Sequence, residues 1–177
     1  AGTGMRVEIA SNGFEVSQKI IKSLRGLPVF QIQVSIDGIG EEHDRFRGRK
    51  GAFRNACQAL RRFKQEGLST SINVTATGRN VDRLPDLIDF AVKAGCDGFK
   101  AIPFIPEGRG KRNKCELWLG REGSLKLSRI LAQKSHELAG KINISTESTF
   151  LFLLNPPPAC NIPDGTMTCS AGYDTLN

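Results

Sequence analysis

The chain has 177 residues, of which 39% are hydrophobic and 24% are charged, a composition typical of one globular domain. No apolar run reaches the roughly 20 residues of a membrane span, and the first residues lack the apolar core of a signal peptide. We therefore expect a cytoplasmic protein with no membrane partner. The formal net charge is +7, but only 7% of residues are aromatic, which argues against nucleic acid as a partner. Two basic clusters, at 45–50 and 109–114, favour an anionic small molecule or an acidic peptide instead.

Three stretches share one alternating pattern that ends in glycine. They are 7–13 (VEIASNG), 32–38 (IQVSIDG) and 72–78 (INVTATG), with a looser copy at 98–108 (GFKAIPFIPEG). Alternation with a period of two indicates strands, and the glycine indicates a turn after each.

Helical patterns separate these predicted strands. Apolar residues at helical spacing predict helices over 16–24, 52–66 and 84–94, and the last two stop at Gly67 and Gly95, as helices commonly do. Strands that alternate with helices imply an α/β fold with parallel strands and right-handed crossovers.

The alternation also separates an apolar face of the sheet from a polar one. Helices would cover the apolar face, whereas a closed eight-stranded barrel fills its interior with apolar side chains. The polar face therefore predicts a partial, open (β/α) TIM-like barrel around a wet cavity or ligand, with helices on the outer face. The alternative is a sheet with one solvated face. The apolar face comprises Val7, Ile9, Ile32, Val34, Ile36, Ile72, Val74 and Ala76, and the polar face Glu8, Ala10, Asn12, Gln33, Ser35, Asp37, Asn73, Thr75 and Thr77.

Polar side chains gather at the predicted carboxyl ends of the strands, where α/β folds bind ligands. They are Asn12, Ser35, Asp37 and Thr77. Ser35 and Asp37 can bind hydroxyls such as those of a ribose, and Arg45 and Arg47 can hold a carboxylate through their planar guanidinium groups. The alternative for Asp37 is a turn residue in a hairpin-like Asp-Gly, although a helix rather than a strand follows it.

The five cysteines are odd in number and widely spaced, so we expect no disulfide framework. Cys57 lies inside one helical pattern and Cys96 just after another, which predicts two buried small hydrophobic residues. Cys115 lies in a basic stretch. Cys160 and Cys169 lie in a Pro-rich tail, where two free thiols are the simplest interpretation.

The order of these pieces resembles a known family. IQVSIDGIGEEHDRFRG followed by GAF, a helix and INVTATGRNVDRLPDLIDFAVKAGCDGFKAIPFIPEGRG is similar to radical S-adenosylmethionine enzymes. It resembles in particular the SPASM subgroup, whose C-terminal extension contains auxiliary iron–sulfur clusters. The HDRFRG, GAF and GRG pieces are similar to the haem and haem d1 biosynthesis branch and to peptide-modifying maturases.

The resemblance implies a domain order and a set of cofactors. Residues 1–154 would form a partial barrel from the family's third strand onward, and 155–177 a Pro-rich linker and the start of a SPASM-type segment. The implied cofactors are S-adenosylmethionine and a [4Fe–4S] cluster, with an auxiliary [4Fe–4S] cluster as a further option. Cys169 would be the first auxiliary ligand, and Cys160 a free thiol.

The resemblance also implies roles for residues of the polar face. Ser35 would contact the methionyl carboxylate or the ribose of S-adenosylmethionine, and Arg47 would pair with that carboxylate. Asp37 would support the ribose side, and Asn12 belongs to the same predicted site.

The family's Cys-x-x-x-Cys-x-x-Cys loop is absent from the sequence, as is its Gly-Gly-Glu. We therefore expect an inactive internal piece of a longer radical oxidoreductase that cleaves S-adenosylmethionine to modify a tetrapyrrole or a peptide. The alternatives are a non-catalytic half-barrel that binds an anionic ligand or peptide, and an α/β domain whose basic patches are simply solvated. The exposed edge of the first strand also suggests a dimer formed through that edge.

Overall fold

A computed structural model describes residues 7–146, apart from the side chain of Arg109. Strands and helices alternate along this part of the chain. The strands are β1 (Val7–Ser11), β2 (Val29–Ser35), β3 (Thr70–Ala76), β4 (Gly98–Pro103) and β5 (Asn143–Thr146). The α-helices are α1 (Gln18–Leu24), α2 (Glu41–Arg47), α3 (Ala52–Gln65), α4 (Leu84–Lys93), α5 (Lys114–Leu117) and α6 (Gly120–Glu137), with 3₁₀ turns at Val81–Arg83 and Gly108–Asn113.

The strands form one sheet in the order β1-β2-β3-β4-β5, and every neighbouring pair is parallel. Val34 lies opposite Ile72, which lies opposite Phe99, so the apolar residues of neighbouring strands are in register. The predicted α/β class, with parallel strands and a partial barrel, is confirmed. β1 and β5 are the edges of the described sheet, and a dimer through β1 stays a prediction.

The core lies between the apolar face of the sheet and the helices. The predicted apolar faces of β2 and β3 are confirmed, because all their members are fully buried. Buried residues of the helices pack against them, including Leu60, Ile88 and Leu127. The members of these two apolar faces are Ile32, Val34, Ile36, Ile72, Val74 and Ala76.

The prediction for β1 is wrong at one residue. Val7 is exposed, and Ile9 is only half-buried. β1 is an edge strand, and its register with β2 shifts between Val7 and Glu8. Among the residues of α1, only Ile21 is buried, so the helix covers little of this strand.

Glycines end two helices where the sequence predicted, and another glycine lets the chain pack closely on a helix. Gly67 and Gly95 follow α3 and α4 in left-handed conformations, which confirms both helix ends. Gly13, two residues after β1, allows a close approach to helix α3, since a Cβ there would lie 2.7 Å from Cα of Ala56. The chain just after β1 therefore lies directly against the backbone of α3.

Four of the helices and strands were missing from the prediction: α2, α5, α6 and β5. Helix α6 buries Leu127 and Leu131, a spacing that the sequence does show. β5 has only four residues, too few for a clear alternation. In the described range of 7–146, no helix combines the length and apolar character that a membrane span requires.

Candidate functional site

The carboxylate of Asp37 lies at the end of β2 and is fully buried. Its Oδ1 accepts the backbone N–H of Thr75 at 3.0 Å. Its Oδ2 lies 2.7 Å from Nη2 of Arg47, at the end of α2. One buried side chain thus joins the ends of β2 and β3 to the last residue of α2. Asp37 is not a hairpin turn residue, because helix α2 follows it.

Helix α2 packs directly on the turn that leaves β2. A Cβ at Gly38 would lie 2.8 Å from Cβ of Glu42, so a larger residue would push the helix away. The glycine of the Asp-Gly pair therefore permits the close approach that brings Arg47 to Asp37.

His43 stabilises the same turn from within α2. Its side chain is 1% exposed, and its Nδ1 accepts the backbone N–H of Asp37 at 3.0 Å. A nitrogen that accepts a hydrogen bond has no proton, so the neutral ring bears its proton on Nε2. Desolvation by burial lowers the pKa of His43 below 6.5, although the nearby Asp37 opposes this. The 3.7 Å approach of Nδ1 to Oδ2 of Asp37 is therefore a contact of a neutral imidazole and not an ion pair.

Asn80 connects the ends of β2 and β3 with all four of its hydrogen-bonding positions. Its Nδ2 donates to the carbonyl oxygens of Asp37 at 3.0 Å and Thr75 at 2.9 Å. Its Oδ1 accepts the backbone N–H of Thr77 at 2.7 Å and the hydroxyl of Thr77 at 3.0 Å. An amide side chain can form few bonds beyond these, so this connection is saturated.

Asp44, in helix α2, caps the start of helix α3. Its carboxylate accepts the backbone N–H groups of Gly51 at 2.6 Å and Phe53 at 2.8 Å. Hydrogen bonds from the backbone of Phe53 and Gly51 hold the pKa of Asp44 below 3.8. The ionised carboxylate also faces the positive end of the helix dipole.

The three arginines after β2 have different surroundings. Arg47 pairs with Asp37 and is one-third exposed, so part of its guanidinium faces outward. Arg49 lies over the ring of Phe14, with Cζ 3.5 Å from the centroid. Arg45 is exposed.

The polar face of the sheet presents a row of hydrogen-bonded side chains. Gln33 donates to Glu8 Oε2 at 2.9 Å and accepts from Asn73 Nδ2 at 3.2 Å. Ser35 lies opposite Asn73, and Ser35, Asn73 and Thr75 are all half-buried. The predicted polar faces of β2 and β3 are thus present, and they offer donors and acceptors to a polar ligand.

The structure joins two of the four residues predicted at the strand ends. Asp37 and Thr77 are linked through Asn80, and both are buried rather than open to a cavity. Ser35 is half-buried at the end of β2, opposite Asn73. Asn12 is exposed, and its Oδ1 accepts the N–H of Phe14 at 3.0 Å. Their roles toward a cofactor stay predictions.

Sequence reasoning missed the functions of His43, Asp44 and Asn80. The His-Asp pair was visible as a cluster of titratable groups, but its partners are backbone groups that only the fold brings near. For Asn80 the signal was an Asn three residues after Thr77, a spacing at which a side chain can bond the backbone of a turn.

The described cysteines do not form a metal site. Cys115 is exposed, Cys96 is buried as predicted, and Cys57 is half-buried rather than buried. Across residues 7–146, no three side chains of His, Cys, Asp or Glu are grouped so that they could hold a metal ion. The segment 155–177, with Cys160 and Cys169, lies outside the described residues.

A comparison with protein families decides the identity of this fold. Residues 1–91 match the model of the radical SAM superfamily. The chain belongs to the radical SAM superfamily. Members of this superfamily use S-adenosylmethionine and a [4Fe–4S] cluster.

Individual relatives support the radical SAM assignment. An AdoMet-dependent heme synthase of Methanosarcina barkeri is 32% identical over 108 residues, which are 60% of this chain and 31% of that protein. The sporulation killing factor maturation protein SkfB of Bacillus subtilis is 25% identical over 138 residues, 78% of this chain and 33% of SkfB. The chain therefore spans about a third of the length of these relatives.

Solved structures show the same fold. SuiB of Streptococcus suis superposes with a TM-score of 0.69 at 17% identity, over 84% of this chain and 34% of SuiB. SuiB bound to S-adenosylmethionine gives a TM-score of 0.67.

Proposed function

We propose that this chain is an internal part of a radical SAM oxidoreductase and forms one wall of its S-adenosylmethionine site. The observation that supports this most directly is the half-buried polar face of β2 and β3, which lies beside the Asp37–Arg47 pair. Relatives named as heme synthase, pre-heme d1 synthase and mycofactocin maturase support a tetrapyrrole or a peptide as the substrate.

The side chains of this wall fit the polar groups of S-adenosylmethionine. Ser35 and Asn73 are neutral and half-buried, as hydroxyl-binding groups of a ribose site should be. A guanidinium has five N–H donors, so Arg47 retains donors for a carboxylate beyond its contact with Asp37. Because Asp37 is buried, we assign it to positioning Arg47 rather than to contact with the ribose. Asn12, exposed at the end of β1, remains a candidate contact.

The described residues do not fit an iron–sulfur cluster. Cys57 and Cys96 have thiols whose pKa values are raised by burial, and neither is grouped with a third ligand. We place the ligands of the catalytic cluster elsewhere in the whole protein, and we keep Cys169 as a proposed ligand of an auxiliary cluster. In this superfamily the cluster and the cofactor supply the radical, whereas the residues of this wall orient the cofactor and exclude water.

The test is calorimetric titration of S-adenosylmethionine into the whole protein that contains this sequence. We expect Arg47→Ala to weaken binding by about 2 kcal/mol, the usual cost of losing a charged hydrogen bond, and Ser35→Ala by about 1 kcal/mol. Arg54→Ala is the control, because Arg54 is an exposed arginine of helix α3 that belongs to no predicted binding site. Circular dichroism confirms that each variant is folded.

Two results would count against the proposal in different ways. Unchanged affinity in both variants would refute the assignment of this wall while leaving the family intact. A whole protein that binds neither S-adenosylmethionine nor iron would instead favour a non-catalytic module that binds an anionic ligand or peptide.

A further inference from the structure

A cavity lies on the outer surface of the barrel, between α3 and α4. It has a volume of about 340 Å³, within the range of small-molecule pockets. The side chains that line it come from the two helices and lie on the helix side of the sheet. They are Cys57, Leu60, Arg61, Phe90, Lys93 and Ala94.

The lining combines an apolar floor with a positive rim. Leu60 is 2% exposed, and Phe90 is half-buried, so the floor belongs to the edge of the core. Arg61 and Lys93 are both exposed. Within residues 7–146, the two carboxylates nearest to Lys93 in sequence already have partners. Asp89 pairs with Lys134 at 2.7 Å, and Asp97 pairs with Lys64 at 3.1 Å.

We propose that this cavity binds an amphipathic small molecule with an aromatic or branched apolar body and one carboxylate or sulfonate group. The body would pack on Leu60 and Phe90, and the anionic group would lie between Arg61 and Lys93. Two cations that face one cavity from different helices favour an anion, and the apolar floor disfavours a purely polar ion such as phosphate. This site is separate from the polar face of the sheet and does not depend on the proposed function.

Cys57 provides a reporter inside the cavity. Its thiol lies in the lining and is half-buried, so a bound molecule must shield it from solvent. Burial raises the pKa of the Cys57 thiol, and the positive charge of Arg61, which lines the same cavity, opposes that rise.

The experiment titrates 2-naphthoate into the full chain and follows binding by calorimetry, with neutral 2-naphthamide as the matched ligand. We expect 2-naphthoate to bind more tightly than 2-naphthamide, and the variant Arg61→Gln/Lys93→Gln to lose about tenfold or more in affinity for 2-naphthoate alone. The control Lys22→Gln/Arg54→Gln removes the same charge from exposed residues of α1 and α3 that do not line the cavity, and it should bind like the original protein.

Alkylation of Cys57 by iodoacetamide locates the bound molecule. Saturating 2-naphthoate should slow this reaction in the original protein and in the control, as read by mass spectrometry of the Cys57 peptide. Equal affinity of the two charge variants, equal affinity for the two ligands, no binding, or unprotected Cys57 would each overturn the proposal. Circular dichroism of both variants shows that any loss of affinity is not a loss of fold.

Discussion

The guanidinium of Arg47 contacts a carboxylate, that of Asp37, whose side chain has no exposed surface, while Arg47 itself is one-third exposed. The pair therefore lies across the boundary between the core and the candidate site. The buried member, Asp37, accepts the N–H of Thr75 in β3. The exposed member, Arg47, is the last residue of α2.

The first prediction concerns the stability that this pair provides. Arg47→Ala should lower the free energy of unfolding by about 2 kcal/mol, because it leaves Asp37 buried without its cation. The loss should be smaller than the roughly 3–5 kcal/mol of a fully buried pair, since solvent reaches Arg47. Urea unfolding measures this change, and Arg45→Ala should stay within about 0.5 kcal/mol of the original protein.

A double-mutant cycle separates the pair from its surroundings. Asp37→Asn and Arg47→Ala should be non-additive by about 1 kcal/mol or more. Additive effects would show that the two side chains are merely adjacent.

The second prediction is that His43 makes stability depend on pH. Its pKa in the folded chain lies below 6.5, so the unfolded chain binds a proton at a higher pH than the folded chain does. Stability from the neutral ring is therefore complete well above pH 6.5 and falls as the pH drops below 6.5. The charged groups that influence this ring are Asp37, Arg47 and Asp44, and Asp44 stays ionised in this window because its pKa is below 3.8.

Two variants test the assignment to His43. His43→Asn keeps an acceptor for the N–H of Asp37 and should flatten the pH dependence of stability below pH 6.5. His136 is exposed and is the second of the two histidines in the chain, so His136→Asn should leave the slope unchanged. An unchanged slope in His43→Asn would contradict the assignment.

The third prediction concerns Asn80. Asn80→Ala should cost about 3 kcal/mol of stability, because it leaves the carbonyls of Asp37 and Thr75 and the N–H of Thr77 without this partner. The neighbouring Arg79 forms an exposed ion pair with Glu116, and Arg79→Ala should cost at most about 1 kcal/mol. Thermal unfolding followed by circular dichroism compares the two. Similar losses in both variants would mean that the turn, not the Asn80 amide, connects the strands.

The fourth prediction ranks the reactivity of three thiols. Cys96 is 4% exposed, and burial raises its pKa to about 11, so it has little thiolate near neutral pH. Cys57 is half-buried with a raised pKa, and Cys115 is exposed. Alkylation of the folded chain should therefore be fastest at Cys115, slower at Cys57 and slowest at Cys96. Peptide mass spectrometry over time gives the order, and a Cys96 rate equal to that of Cys115 would show that the core opens there.

The sequence predicted which strand side chains lie on each face of the sheet, because that depends only on the period of two. Alternation placed Ile32, Val34 and Ile72 in the core and Gln33 and Ser35 on the polar face, because side chains of a strand point to opposite sides whatever the rest of the fold does. It could not show that Asp37 leaves this pattern and becomes buried. That outcome depends on the N–H of Thr75, on β3, and on Arg47, which reaches Asp37 only because the unpredicted helix α2 folds back over Gly38.

The parallel arrangement of the five strands also affects how this protein can evolve. Core residues lie within strands and helices, whereas Asp37, His43, Arg47 and Asn80 lie in segments that follow the carboxyl ends of strands. Insertions and replacements in those segments can retune the chemistry without shifting the register of the sheet. SuiB superposes on this fold at only 17% identity, so the same arrangement of strands and helices accommodates very different sequences.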